Sequence, residues 1–108
     1  MIFSIDEMKR RIIPVAEKYS LRAVYIFGSY ARNEATDDSD IDLLIDRSGS
    51  KIRGLFDMSA LHNDLSEAVG KKVDLITTQA LDQKGSSSNS LLFAEKIREE
   101  IILIYSKS

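Results

Sequence analysis

Gly28-Ser29-Tyr30-Ala31-Arg32, followed eight residues later by Asp40-Ile41-Asp42, is the stretch that decides how this chain is read. A glycine-serine turn sits just after the apolar run Ala23-Val24-Tyr25-Ile26-Phe27, and a carboxylate pair spaced by two opens the next run. Asp40 to Asp46 alternates: Ile41, Leu43 and Ile45 point one way, Asp40, Asp42, Leu44 and Asp46 the other. That is a strand with one face in a core and one carrying charge. Glycine lets backbone approach a phosphate closely. Amides at a following helix start, with the Ser29 hydroxyl, can donate to phosphate oxygens.

Working outward, Ser4 to about Tyr19 is predicted to be a helix, with Ser4 and Glu7 in a capping-box spacing. Ile5, Met8, Ile12, Val15 and Ala16 recur at helical intervals, and Pro14 is expected to kink or split that helix. Arg22 to Phe27 is predicted as the first strand, Ser29 to about Asn33 as a short helix or turn, and Glu34 to Ser39 as a polar loop. Leu55 to Val69 reads as an amphipathic helix burying Leu55, Met58, Leu61, Leu65, Ala68 and Val69, closed by Gly70 at C′. Lys72 to Thr77 reads as a third strand. A flexible loop is expected near 83–90, around Gly85-Ser86-Ser87-Ser88, then a helix over Leu91 to Arg98. Ile101 to Tyr105 fits either a helix or a strand, with a strand slightly favoured by its isoleucines.

Asp40 and Asp42 share a strand face roughly 6–7 Å apart at the backbone. Their carboxylates can converge on one Mg²⁺ or bridge two, leaving positions for water and substrate phosphates. Asp74, which interrupts the apolar run around Val73 and Leu75, is the candidate third ligand, because a charge there is costly unless paired, solvated or metal-bound. In this layout a triphosphate lies between the Gly28-Ser29 turn and the Asp40/Asp42 pair, and two metal ions could stabilise attacking and leaving oxygens of an in-line displacement.

Gly28-Ser29-Tyr30-Ala31-Arg32, then Ser39-Asp40-Ile41-Asp42-Leu43, resembles the minimal nucleotidyltransferase (MNT) signature of the DNA polymerase β superfamily. Val73-Asp74-Leu75 is similar to its third-carboxylate strand, and the resemblance spans roughly residues 4–80, with Leu103-Ile104-Tyr105 similar to family C-termini. The resemblance implies an α/β fold of α+β type: two layers, a small mixed sheet with helices packed on one face. It implies Mg²⁺-dependent transfer of a nucleoside monophosphate, with ATP as the donor on family grounds. Carried over by position, Gly28 and Ser29 grip triphosphate, Asp40, Asp42 and Asp74 hold metal, Asp74 also serves as base, and Arg32 neutralises phosphate charge. Asn33 stands where members usually carry glycine, a tolerable change because asparagine accepts left-handed backbone. Short members are often encoded beside a HEPN-domain protein, which the transferase neutralises as an antitoxin by AMP transfer to a tyrosine.

Other residues invite plainer readings. Arg32 suits a surface ion pair with Glu34 or Asp37 as well as a phosphate. Asp37, Asp38 and Asp46 read as solvated charge, His62 as an exposed helix residue, and Tyr25 and Phe27 as core; Tyr30 reads as core or as a neighbour of the nucleotide.

The 108 residues suit one domain and one modest core. Apolar residues at 44% and charged residues at 30% are those of a globular chain. Fifteen basic against 17 acidic side chains give a net charge of −2, which disfavours direct nucleic-acid binding. Cysteine is absent and there is one histidine, so thiolate zinc sites and disulfides are excluded and a histidine metal site is disfavoured. No membrane span or secretion signal is legible, so the expected location is cytoplasmic. The leading expectation is an enzyme acting on a HEPN-domain protein. The alternatives are a non-catalytic antitoxin that masks its partner, and a transferase for a small molecule or RNA. With so small a core and a possible edge strand at Ile101 to Tyr105, self-association or a complex with a partner is also expected.

Overall fold

The computed structural model describes residues 3–78 and 100–107. The loop expected near 83–90 and the helix expected over Leu91 to Arg98 lie outside the described residues.

Helix α1 spans Ile5–Lys18. The Ser4 side chain accepts the Glu7 backbone N–H at 3.1 Å, as the capping spacing predicts. Glu7 turns its carboxylate to Arg11, 2.9 Å away. The helix is not split at Pro14. Pro14 is exposed, while Met8, Ile12 and Ala16 are fully buried on both sides of the missing hydrogen bond. Tertiary packing thus outweighs the local penalty. The helix ends on Ser20 at φ 55, with the Leu21 N–H returning to the Ala16 carbonyl at 3.0 Å. This is a Schellman-type closure with serine in the usual glycine place.

Strand β1 (Ala23–Phe27) leads into the one-turn helix α2 (Gly28–Ala31), and β2 (Ile41–Asp46) follows. Helix α3 (Leu55–Val69) stops at Gly70, whose φ of 65 is the left-handed conformation that glycine adopts without strain. Strand β3 (Val73–Thr77) and strand β4 (Ile102–Ser106) complete the set, and the C-terminal segment is therefore a strand. The sheet order is β3-β2-β1-β4. β1 pairs antiparallel with both β2 and β4, and β2 pairs parallel with β3, so the sheet is mixed.

Period-2 alternation assigns the two faces. Val24, Ile26, Ile41, Leu43, Ile45, Val73 and Ile104 pack with Met8, Ile12, Ala16, Leu61, Leu65 and Val69 into one core, so α1 and α3 cover the same face. Each fully buried Leu or Ile there contributes about 1.5–3 kcal/mol of apolar transfer. On the other face Phe27 and Leu44 form a second, small cluster, flanked by Tyr25, Ile76 and Ile101. Leu55 departs from expectation: placed on the buried stripe of α3 by its spacing, it is 86% exposed. It is the first residue of the helix and lines an open cleft beside β3. No helix among the described residues is long and apolar enough to cross a membrane.

Candidate active site

The site is assembled on the face of the sheet opposite α1 and α3. Phe27 and Asp42 are register partners across β1 and β2, which brings Gly28, the next residue, against the Asp42 side chain. Gly28 has φ +72, and a Cβ built on it would collide with the Asp42 carboxylate. Glycine is required here twice over, by backbone conformation and by close approach. The parallel β2–β3 register then pairs Asp42 with Asp74, on strands about 4.8 Å apart. Asp40 lies two residues before Asp42 on the same face, one residue outside β2.

Burial pushes the Asp42 carboxyl up to about 6, helped first by the negative charge of Asp74, then by a hydrogen bond shared with that carboxyl, then by Asp40. The guanidinium of Arg32 opposes this only in part. A like-charged, half-desolvated pair of this kind is what a hard divalent cation relieves, and all the donors are oxygens. The set therefore fits Mg²⁺ chemically. Among the described residues, however, no three Asp, Glu or His side chains already converge on one point. Asp40 instead stands 4.0 Å from the Lys72 ammonium. The structure brings Asp42 and Asp74 together, with Asp40 alongside.

Ser29 is half-buried at the start of α2. Its carbonyl accepts the Glu34 N–H at 2.8 Å, while among the described residues its hydroxyl makes no hydrogen bond. Arg32 is held by Glu34 at 3.1 Å and by Glu100 at 2.9 Å. The Glu34 pair anticipated in the sequence forms, and Glu100 is a partner that the sequence did not indicate. Asn33 takes φ 60, the left-handed backbone that asparagine tolerates where glycine would be usual.

Tyr30 belongs to the core: it is 6% exposed, with the Lys71 ammonium 5.8 Å from its ring centre. Its buried hydroxyl makes no hydrogen bond among the described residues. Asp46 accepts the Ser48 N–H at 3.0 Å and sits 3.8 Å from Arg22, as a local turn-former.

His62 corrects its sequence reading. It is half-buried, and its Nε2 lies 2.7 Å from the Val73 carbonyl, one residue from Asp74. With Met58, Ser59, Asn63 and Asp74 it lines a cleft of about 460 Å³ beside the carboxylates. The signal available was its place directly after buried Leu61 and four residues after Met58, at the margin of the helix's apolar stripe.

The model of the family described as polymerase beta, nucleotidyltransferase, matches residues 10–108. A Methanocaldococcus jannaschii protein, provisionally named a protein adenylyltransferase, is 42% identical over 78 residues, covering 72% of this chain and 82% of that one. A solved structure provisionally described as a minimal nucleotidyltransferase superposes with a TM-score of 0.66 at 25% identity, over 93% of this chain and 95% of that chain. A structure of a tri-AMPylated Shewanella oneidensis HEPN toxin in complex with MNT antitoxin superposes with a TM-score of 0.62 at 19% identity, over 95% of this chain and 73% of that chain.

Proposed function

The chain belongs to the polymerase β nucleotidyltransferase family, and from that premise we propose that it moves AMP from ATP to a hydroxyl on a HEPN-domain protein, acting as the antitoxin of a pair. The observation that carries the reading is the meeting of Gly28, Asp42 and Asp74 at one end of three adjacent strands. The name of the Methanocaldococcus relative and the AMPylated HEPN toxin held by an MNT antitoxin support the donor and the class of acceptor.

Each residue then has a task. Asp42 and Asp74, joined by Asp40 on leaving Lys72, would hold Mg²⁺. Bound there, the ion would supply positive charge to the triphosphate oxygens. The bare backbone of Gly28 and the uncommitted Ser29 hydroxyl receive the triphosphate. Arg32, released from Glu34 and Glu100, adds positive charge beside it. The acceptor oxygen bonds to the α-phosphorus, the bond from that phosphorus to the bridging oxygen of pyrophosphate breaks, and the acceptor proton passes to the Asp74 carboxylate. Asp74 is exposed and borders the cleft, where an incoming hydroxyl can reach it.

A polypeptide acceptor is favoured by what stands at that cleft. Leu55 and Phe56 are 86% and 94% exposed, two large apolar side chains in sequence. Leu55 lines the cleft that Asp74 borders. Exposed apolar surface next to a reaction centre suits a protein partner better than a small polar molecule.

The test is incubation with labelled ATP, Mg²⁺ and a HEPN-domain protein, the product of the neighbouring gene being tried first, followed by intact mass. One added nucleotidyl unit on the partner, lost in the Asp40→Ala/Asp42→Ala protein, is the expected result. If the double variant neutralises the partner as fully as the wild type, protection comes from binding and the transferase reading of the antitoxin fails.

A further inference from the structure

Asp74 sits on β3, which among the described residues is an outer strand of the sheet, with β2 on one side. The Ile41 N–H bonds to the Lys72 carbonyl at 3.0 Å. Carbonyls alternate along a strand, so the Val73 carbonyl points away from β2, off the open edge. An edge carbonyl of this kind is ordinarily left to water or to another chain. Here His62 takes it, with Nε2 2.7 Å from the oxygen. A carbonyl oxygen only accepts, so Nε2 carries the proton.

The peptide held in this way is the one joining Val73 to Asp74. It is planar and trans, so fixing its carbonyl also fixes its amide, which is that of Asp74 itself. His62 in turn rides on α3, between Leu61 and Leu65, both of which are fully buried in the core. The Val73 side chain anchors β3 in the core, and His62 adds a hold on the backbone of the same residue, directly before the exposed carboxylate.

We infer that His62 is a positioning residue for Asp74: by holding the Val73 carbonyl it sets the backbone from which the Asp74 carboxylate meets Asp42. The inference rests on the proposed role of Asp74 at the metal and the acceptor. Without the bond, β3 keeps its pairing with β2 but pivots about it, and the carboxylate loses its fixed separation from Asp42. The triphosphate turn at Gly28 and Ser29 lies on the far side of β2 and stays as it is.

The experiment compares His62→Leu, which has no donor, with His62→Gln, whose amide can reach the same oxygen. Mn²⁺ alone is titrated by electron paramagnetic resonance, and kcat and KM for ATP are measured in transfer to the HEPN partner. Outer hydrogen bonds at metal sites typically govern affinity or rate by 10–100-fold, so His62→Leu is expected to lose about tenfold in both Mn²⁺ affinity and kcat. KM for ATP stays within about twofold, and His62→Gln recovers to within about threefold of wild type, on the same scale. A purely structural tether would lower melting temperature without this split between kcat and KM. If His62→Leu does not fold, His62→Asn, too short to reach the carbonyl, takes its place with the same expectation.

Wild-type Mn²⁺ affinity and kcat in the donorless variant, or a glutamine variant as impaired as leucine, overturns the inference. So does a wild-type protein that does not bind Mn²⁺. Weakened Mn²⁺ binding in His62→Leu, with no transfer by wild type to any acceptor, leaves the positioning role standing and removes the proposed function instead.

Discussion

Asp42→Asn is expected to make the metal-free protein more stable at neutral pH while removing transfer. Burial first, and the charge of Asp74 second, raise the Asp42 carboxyl from 3.8 to about 6. A carboxyl raised in the folded state favours its neutral form there. Its stabilising effect is complete below the unfolded value near 3.8 and is lost as pH rises through about 6. Fully expressed, the shift is worth about 3 kcal/mol. Asp42 is only half-buried, and solvent screening brings this to about 1–2 kcal/mol. Asparagine keeps the shape and removes the charge, so the variant recovers that amount at pH 7.5, or roughly 5–10 °C in melting temperature for a domain of this size. At pH 4.5 much of the folded wild type is already neutral at this position, and the gap falls to about half. Saturating Mg²⁺ stabilises wild type alone and narrows the gap at neutral pH. The assay is thermal melting by circular dichroism in EDTA at both pH values, then with Mg²⁺. An asparagine variant that melts at or below wild type in EDTA at pH 7.5 refutes the reasoning, as does a gap that does not shrink at pH 4.5.

Three further perturbations test other parts of the site. Gly28→Ala adds a left-handed backbone penalty of about 1–2 kcal/mol and drives a methyl group into the Asp42 carboxylate. Transfer should fall by more than about 100-fold, well above the typical cost of disturbing groups around a metal ligand. Gly49→Ala has a similar φ of +68 with open space around it, so it should pay only the backbone penalty and stay active; equal activity of the two variants would count against the contact. Ser29→Ala removes one donor, for a loss of about 1–3 kcal/mol in binding a non-hydrolysable ATP analogue; an unchanged calorimetric Kd would take Ser29 out of the triphosphate site. Phe56→Asp should leave melting temperature and ATP affinity alone, because the ring is 94% exposed. It should weaken binding of the protein acceptor by about 10–100-fold, the value of a buried phenylalanine; undiminished affinity for the partner in a pull-down would exclude this surface.

Much of the fold was legible because it rests on local signals. The Ser4 cap, the Gly70 stop and the alternation from Asp40 to Asp46 each report a single element, and each element lies within one residue of its expected bounds. What was not legible depends on partners distant in the chain. Pro14 predicts a break only if the helix stands alone; buried Ile12 and Ala16 hold it together. Leu55 has the spacing of a core residue, but at the first position of α3 it is left exposed at the cleft. The same division runs through the site. Asp40 and Asp42 share a face by period alone, whereas their alignment with Asp74 needed the β2–β3 register. For Arg32 the sequence offered Glu34 or Asp37 as ion-pair partners, but Glu100 reaches it across 68 positions of sequence. His62 looked exposed because nothing near it in sequence accepts its proton; the Val73 carbonyl does so only once β3 has docked.

The placement of charge and the tuning of that charge have a common origin in this sheet. With α1 and α3 covering one face, period 2 leaves Asp40, Asp42 and Asp46 no place except the other. That face is not simply solvated, because Phe27 and Leu44 bury themselves on it. Phe27 is the cross-strand partner of Asp42, Leu44 is the next residue along β2 on the same face, and Ile76 follows Asp74 in the same way. The carboxylate pair therefore stands at the rim of an apolar floor. Burial is the largest cause of the raised Asp42 carboxyl, and the parallel register supplies Asp74 as the second. Without burial, the charge of Asp74 would still raise the Asp42 carboxyl, though by less. The strand register keeps the two carboxyls near one another, at a cost in metal-free stability that divalent binding relieves.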